Sequence, residues 1–268
     1  MPPSVAVVTD STAYLPAVDG VSVVPLSVVA GGTAYDEPDF TGDLATATTS
    51  QPAPERFAAC YRTLASAGHT AIVSIHLSAE LSGTVGVAEL AASSASLPVE
   101  VVDSRSLAMG LGYPVLAAAR AAAQGADLAS VASAARASAA ATRTFFYVDT
   151  LDQLRRSGRV SAAATLFGSA LMIKPLLHIK DGTIQPLEKV RTAARAVARM
   201  EDLAVEAAAS SPVDVAVQHL SAPDRAQSLA DRLRKRLPQL RDLTLVEIGA
   251  VVGAHVGPGT LGITLTPT

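Results

Sequence analysis

Residues Ala71 to Thr84, Ala-Ile-Val-Ser-Ile-His-Leu-Ser-Ala-Glu-Leu-Ser-Gly-Thr, restrict the possible folds more than any other stretch. An apolar run of strand length passes directly into a polar turn, and the turn into the alanine-rich segment Val85 to Ser94. A continuous apolar run bounded by turn residues is the pattern of a strand buried on both faces, which requires helices above and below a parallel sheet. The unit recurs. Ser4 to Thr9 ends in Asp10-Ser11-Thr12 and Val99 to Val102 ends in Asp103-Ser104, while helical segments are predicted over 54–67, 106–124 and 127–141. Strand–helix alternation through residue 142 predicts a mostly parallel sheet with helices on both faces.

Two departures from that rhythm are legible. Val21 to Val29 is interrupted by Pro25, which has no N–H for a ladder, so the run is expected at an edge or a bulge. Gly31-Gly32 predicts a small hairpin, and the polar stretch Asp36 to Thr48 a surface loop. Beyond residue 143 the order changes. A strand over 144–148, a short helix over 151–156, an apolar helix over 161–171 and two strands joined by Lys180-Asp181-Gly182 precede alternating helices and strands to the end. A hairpin within such a pattern implies a second, α+β domain with a mixed sheet. The expected division is an N-terminal α/β domain over residues 1–145 and a C-terminal α+β domain over residues 146–268.

Several function classes are disfavoured. A net charge of −3 and the absence of aromatics interleaved with basic residues give no basis for nucleic-acid binding. The lone Cys60 permits no internal disulfide, which fits a reducing compartment. His69, His76, His178, His219 and His255 show no metal-ligand spacing, so no metal is expected. There is neither a Gly-x-Gly-x-x-Gly after a strand nor a Walker motif, so no nucleotide cofactor is expected. No leader pattern or run of spanning length occurs, and a cytoplasmic protein without integral membrane association is expected.

Two positions invite chemistry. Ser82 in Leu81-Ser82-Gly83-Thr84 is read either as a simple helix cap or as an anion ligand where a helix begins. His255, among Gly253, Gly257, Gly259 and Pro258, is either incidental to a hairpin loop or an imidazole fixed by a constrained backbone. A Ser-His-Asp hydrolase can be drawn from Ser82, His255 and a strand-end aspartate, but the serine lacks the Gly-x-Ser-x-Gly elbow. Asp10-Ser11 and Asp103-Ser104 are favoured as turn and cap residues over phosphoryl chemistry.

Taken together, Thr9-Asp10-Ser11-Thr12, Val24-Pro25-Leu26, Thr49-Ser50-Gln51-Pro52, Leu81-Ser82-Gly83-Thr84, Val102-Asp103-Ser104, Ser157-Gly158-Arg159-Val160, Ile173-Lys174-Pro175, Lys189-Val190-Arg191 and His255-Val256-Gly257-Pro258-Gly259 resemble, in order, the DegV family of bacterial fatty acid-binding proteins. The resemblance implies a two-domain α/β protein holding a long-chain fatty acid between its domains. It also implies a non-catalytic role as the lipid-carrying subunit of a fatty acid kinase in phospholipid synthesis, with the carboxylate presented to a separate ATP-binding kinase subunit for acyl phosphate formation. By the same resemblance Thr49, Ser82 and His255 hydrogen-bond the carboxylate, Arg159 faces the acyl phosphate and Arg191 docks the kinase. The family usually has Gly-Gly-Arg where this chain has Ser157-Gly158-Arg159.

These roles agree with elementary chemistry. A carboxylate at the edge of an apolar tunnel loses hydration and needs donors, which two hydroxyls and an imidazole supply. Arg159 offers a planar fork suited to phosphate oxygens. Burial of each methylene contributes on the order of 0.8 kcal/mol, so the tail alone gives substantial affinity. Leu166 to Ile173 and Val21 to Val29 are candidate tunnel walls, and equally candidate core. The alternatives are an enzyme acting on a small carboxylate or phosphate ester through Ser82 and His255, and a regulatory lipid sensor.

Overall fold

The computed structural model describes residues 4–160 and 174–268. By contacts the chain divides into two compact units, the first comprising residues to Phe40 together with Thr49–Ala140, the second Thr41–Thr48 together with Ala141–Thr268.

The first unit is built on a parallel sheet in the order β2-β1-β6-β7, with β1 Val5–Asp10, β2 Val21–Val24, β6 Ala71–His76 and β7 Val99–Asp103. Every residue of β1 and β6 is buried, as the continuous apolar runs require. Pro25 ends β2, which lies at the sheet edge, and the chain resumes as β3 Ser27–Ala30 in a second, three-stranded sheet. There β3 pairs with β4 Thr33–Asp36 across the Gly31-Gly32 turn, and β5 Thr48–Ser50 pairs on the other side of β3. Helices α1 Pro54–Ser66 and α2 Thr84–Ala92 accompany the parallel sheet. They share a core in which Phe57, Tyr61, Ala88 and Ala91 meet Ala6, Val8, Val24 and Ile72. Val24 is therefore core, whereas Val23 is 53% exposed.

Helix α3 Met109–Ala123 and α4 Leu128–Ala141 complete the alternation. The expected start of α3 at Ser106 moves to Met109 because Ser104–Ala108 forms a tight turn. Arg105 and Ala108 both take positive φ there, and Asp103 Oδ1 accepts from the Arg105 N–H at 2.7 Å.

The second unit carries a six-stranded mixed sheet in the order β10-β9-β8-β13-β11-β12. Its strands are β8 Arg143–Tyr147, β9 Lys174–Lys180, β10 Thr183–Val190, β11 Val213–His219, β12 Leu240–Glu247 and β13 Leu261–Pro267. Only β11 and β12 pair in parallel among these described strands. The expected hairpin at Asp181-Gly182 is present, with Thr183 opposite Lys180. The expected boundary after residue 145 would cut through β8, all of which belongs to this sheet.

Helices α5 Asp152–Ser157, α6 Ala193–Ala208, α7 Pro223–Arg236 and α8 Ala250–Val256 belong to this unit. Its core joins Tyr147, Leu176, Met200, Val217, Leu229 and Ile263 among others. The helix predicted over 161–171 and the candidate wall Leu166 to Ile173 lie outside the described residues.

Candidate functional site

In the first unit, Ser82 is held by a short backbone relay that begins at the sheet. Asp10, the last residue of β1, is fully buried and accepts four hydrogen bonds. They come from the Thr12 N–H at 3.1 Å, the Thr12 hydroxyl at 2.5 Å, the Leu77 N–H at 3.1 Å and, within 3.0 Å of Oδ2, His76 Nδ1. Leu77 opens the turn after β6. The N–H groups of Leu81 and Ser82 both donate to the Ser78 carbonyl, at 3.0 and 3.1 Å. Ser82 is thus fixed through a tight turn anchored on a saturated carboxylate.

The cap reading of Ser82 is corrected by the geometry. Gly83, not Ser82, is the N-cap of α2, and among the described residues no side-chain hydrogen bond caps its N-terminus. The Ser82 hydroxyl instead meets the Thr84 hydroxyl at 2.9 Å. Two hydroxyls and the orphan N–H groups of a helix start therefore converge on half-buried Ser82, an arrangement suited to an anion. Gly83 has its own reason: a Cβ there would collide with the side-chain oxygen of Gln51. That close approach brings the Thr49-Ser50-Gln51-Pro52 segment against the Ser82-Gly83 turn. Thr49 is the central residue of β5, half-buried.

In the second unit, His255 is on the last turn of α8 and not in a loop, which corrects the hairpin-loop alternative. The glycines that argued for a loop act in two other ways. Gly253 is inside the helix because a Cβ would press on Leu44 Cδ1 at 2.9 Å and Leu220 Cδ2 at 3.2 Å. Gly257 ends the helix at φ 77°, ψ 165°, a conformation that essentially only glycine adopts. Its own Cβ position is occupied by the side-chain amide of Gln153, in α5. The Thr260 hydroxyl donates back to the carbonyls of Val256 at 3.2 Å and Gly257 at 2.8 Å, closing the turn.

Burial holds the His255 pKa down at about 4, and the nearby Arg159 charge adds to the shift. The imidazole is therefore neutral at physiological pH, with one N–H to donate. Arg159 follows α5, whose left-handed C-cap is Gly158 at φ 70°. Ser157, where the family usually has glycine, is still helical and needs no positive φ, so the substitution is accommodated. Arg159 donates to the Ser157 carbonyl at 2.5 Å. Arg191 is exposed in the turn after β10, next to Thr192, which caps α6 by accepting from the Arg195 N–H at 3.2 Å.

The sequence reading passed over two networks. One is the buried series Asp10, His76, Ser74 and Tyr61: His76 Nε2 is 2.7 Å from Ser74 Oγ, to which the Tyr61 hydroxyl donates at 2.9 Å. Its signal was available, since Ser74 and His76 are polar residues two apart on one face of an otherwise apolar strand. The other surrounds Gly259 and joins residues with no sequence signature. Among the described residues there is no group of acidic, histidine or cysteine side chains able to hold a metal, and no helix long and apolar enough to cross a membrane.

A family model described as "Uncharacterised protein, DegV family" matches residues 4–268. A DegV domain-containing protein of Streptomyces coelicolor is 54% identical over 275 residues, covering 98% of each chain. A solved structure described as "Fatty Acid Binding of a DegV family Protein from Thermus thermophilus" superposes with a TM-score of 0.92 at 30% identity, covering 98% of this chain and 99% of that one. Another, "Crystal Structure of DegV, a fatty acid binding protein from Bacillus subtilis", gives a TM-score of 0.88 at 32% identity, over 98% and 99%.

Proposed function

The chain belongs to the DegV family, and we propose that it binds a long-chain fatty acid and presents the carboxylate to a separate ATP-dependent kinase subunit. The observation that carries the binding half of this reading is the likeness, over nearly the whole chain, to relatives described as fatty acid-binding. Thr49, Ser82 and His255 are the proposed carboxylate donors. Ser82 and Thr84 present paired hydroxyls beside a helix start, and His255 is a neutral imidazole at working pH. Hydrogen bonds to a charged acceptor contribute about 1.5–3 kcal/mol each, enough to fix the headgroup while tail burial supplies the bulk of the affinity.

Arg159 is the proposed contact for the acyl phosphate and Arg191 for the kinase. A phosphoryl group gains charge and oxygens that a guanidinium fork matches, and Arg159 lies close enough to His255 to depress its pKa. Exposure of Arg191 suits a docking role. The hydrolase alternative loses its third member, since the Asp10 carboxylate is buried and fully engaged and Asp103 serves a turn. A regulatory lipid sensor would bind the same ligand without supporting phosphorylation.

Native mass spectrometry of the purified protein, followed by incubation with oleate, ATP and a fatty acid kinase subunit, tests both halves. A protein that neither co-purifies with nor takes up oleate or palmitate defeats the binding reading. Binding without acyl phosphate formation favours the sensor. Turnover by the isolated protein that vanishes in Ser82→Ala favours the enzyme.

A further inference from the structure

Three side chains outside the proposed donor set close a ring around Gly259. The Tyr147 hydroxyl donates to Asp149 Oδ1. Asp149 Oδ2 occupies the place that a Cβ on Gly259 would take. Arg225 donates to the Gly259 carbonyl at 3.2 Å, and its guanidinium stands over the Tyr147 ring, 5.5 Å from the centroid. Lys174 fastens the same corner to β9, donating to the Asp149 carbonyl at 2.9 Å and lying 3.6 Å from its carboxylate. The Gly259 N–H is also engaged, donating to the Leu220 carbonyl at 2.9 Å.

The Lys174–Asp149 pair is part-exposed and adds little stability by itself. What the ring supplies is geometry. Gly257 and Gly259 both have positive φ, at 77° and 80°, and glycine has the widest backbone freedom of any residue. Left to itself, a Gly-Pro-Gly run directly after α8 would let the last helical turn, and His255 with it, fray. Here Gln153 bears on Gly257, Asp149 bears on Gly259, and Arg225 holds the Gly259 carbonyl from the side of α7. Burial and the Asp149 charge push the Tyr147 phenol up to about 12, so its hydroxyl remains a donor throughout the physiological range.

We propose that Tyr147, Asp149 and Arg225 are positioning residues for His255: they clamp the Gly257–Gly259 turn and thereby fix the direction in which the imidazole meets a fatty acid carboxylate. This inference rests on the fatty acid reading for its ligand, but its clamp is testable without one.

Tyr147→Phe removes one hydroxyl and keeps the buried ring, and Asp149→Asn keeps the shape. Oleate affinity is measured for the native protein, both variants, His255→Ala and the double variant Tyr147→Phe/His255→Ala. The clamp predicts about tenfold weaker binding in Tyr147→Phe and Asp149→Asn, and no further weakening when Tyr147→Phe is added to His255→Ala. Weakening that persists undiminished in the His255→Ala background overturns it, as does unchanged affinity in Tyr147→Phe.

In the ligand-free protein, the His255 imidazole resonances should shift or broaden in Tyr147→Phe and in Arg225→Met, with unfolding still cooperative. Unchanged His255 resonances overturn the clamp whether or not oleate binds. A native protein that takes up no oleate while the resonances do shift overturns the ligand reading and supports the clamp.

Discussion

His76 Nδ1 stands 3.0 Å from Asp10 Oδ2, with neither side chain reached by solvent. The pair joins the carboxyl ends of the two central parallel strands, β1 and β6, at the end of the sheet where the Ser82 turn departs. In α/β sheets ligands gather beyond the carboxyl ends of strands, so such a pair belongs where a loop must be held still.

Replacing Asp10 with Ala removes the acceptor of four hydrogen bonds and strands buried donors on Thr12, Leu77 and His76. Breaking a buried, hydrogen-bonded pair of this kind costs about 3–5 kcal/mol. Urea denaturation should show that loss in Asp10→Ala, with a smaller one in Asp10→Asn, which keeps an acceptor. A loss below about 1 kcal/mol in Asp10→Ala would show that the network is dispensable.

His255 gives the protein an acid-sensitive limb. The unfolded imidazole titrates near 6.5 and the folded one at about 4, so between those values the unfolded chain binds a proton that the folded chain does not. The contribution to stability is complete above about 6.5 and is lost as pH falls toward 4. Denaturation at pH 7 and pH 5 should therefore show a larger drop for the native protein than for His255→Gln. Proton NMR should show no His255 titration between pH 6 and 8. An inflection near 6.5 would mean that the ring is hydrated.

The fold was largely legible because its signals are local. Continuous apolar runs marked β1 and β6 as doubly buried, Pro25 marked the break between β2 and β3, and Asp181-Gly182 marked the β9–β10 hairpin. Helix α8 was missed because Gly253 within it and Gly257 and Gly259 after it look the same in sequence whether they serve conformation or contact. Gly257 is needed for its φ, but Gly253 is needed for the approach of Leu44 and Leu220, which are distant in the chain. The cap alternative at Ser82 failed for a similar reason. A serine one residue before Gly83 satisfies the propensity, yet the close approach of Gln51 places the glycine at the cap. Non-local contacts decided both, and no propensity reports them.

The two kinds of left-handed glycine predict different costs. Gly158→Ala meets nothing within 4 Å and pays only for φ 70°, about 1–2 kcal/mol. Gly257→Ala is strained in a glycine-only region and also drives a Cβ into Gln153. Its cost should exceed that of Gly158→Ala, by about 1–3 kcal/mol in urea denaturation. Equal costs would mean that Gln153 yields freely, and Gln153→Ala combined with Gly257→Ala would then recover nothing.

Ser82→Ala separates support of the helix from recognition of a ligand. If Ser82 capped α2, its loss would cost about 1 kcal/mol of stability. The cap position belongs to Gly83 and, among the described residues, the Ser82 hydroxyl bonds only sideways to Thr84, so the stability of the ligand-free protein should change by less than about 0.5 kcal/mol. Fatty acid binding should respond differently. Loss of one hydrogen bond to a carboxylate corresponds to about 1.5–3 kcal/mol, a weakening of roughly 10- to 100-fold. Thr84→Ala should show a milder loss of affinity, because it removes the partner that orients the Ser82 hydroxyl while leaving the donor in place. Oleate titration beside urea denaturation on the same samples reads both quantities. A stability loss near 1 kcal/mol with unchanged oleate affinity would return Ser82 to the role of a cap.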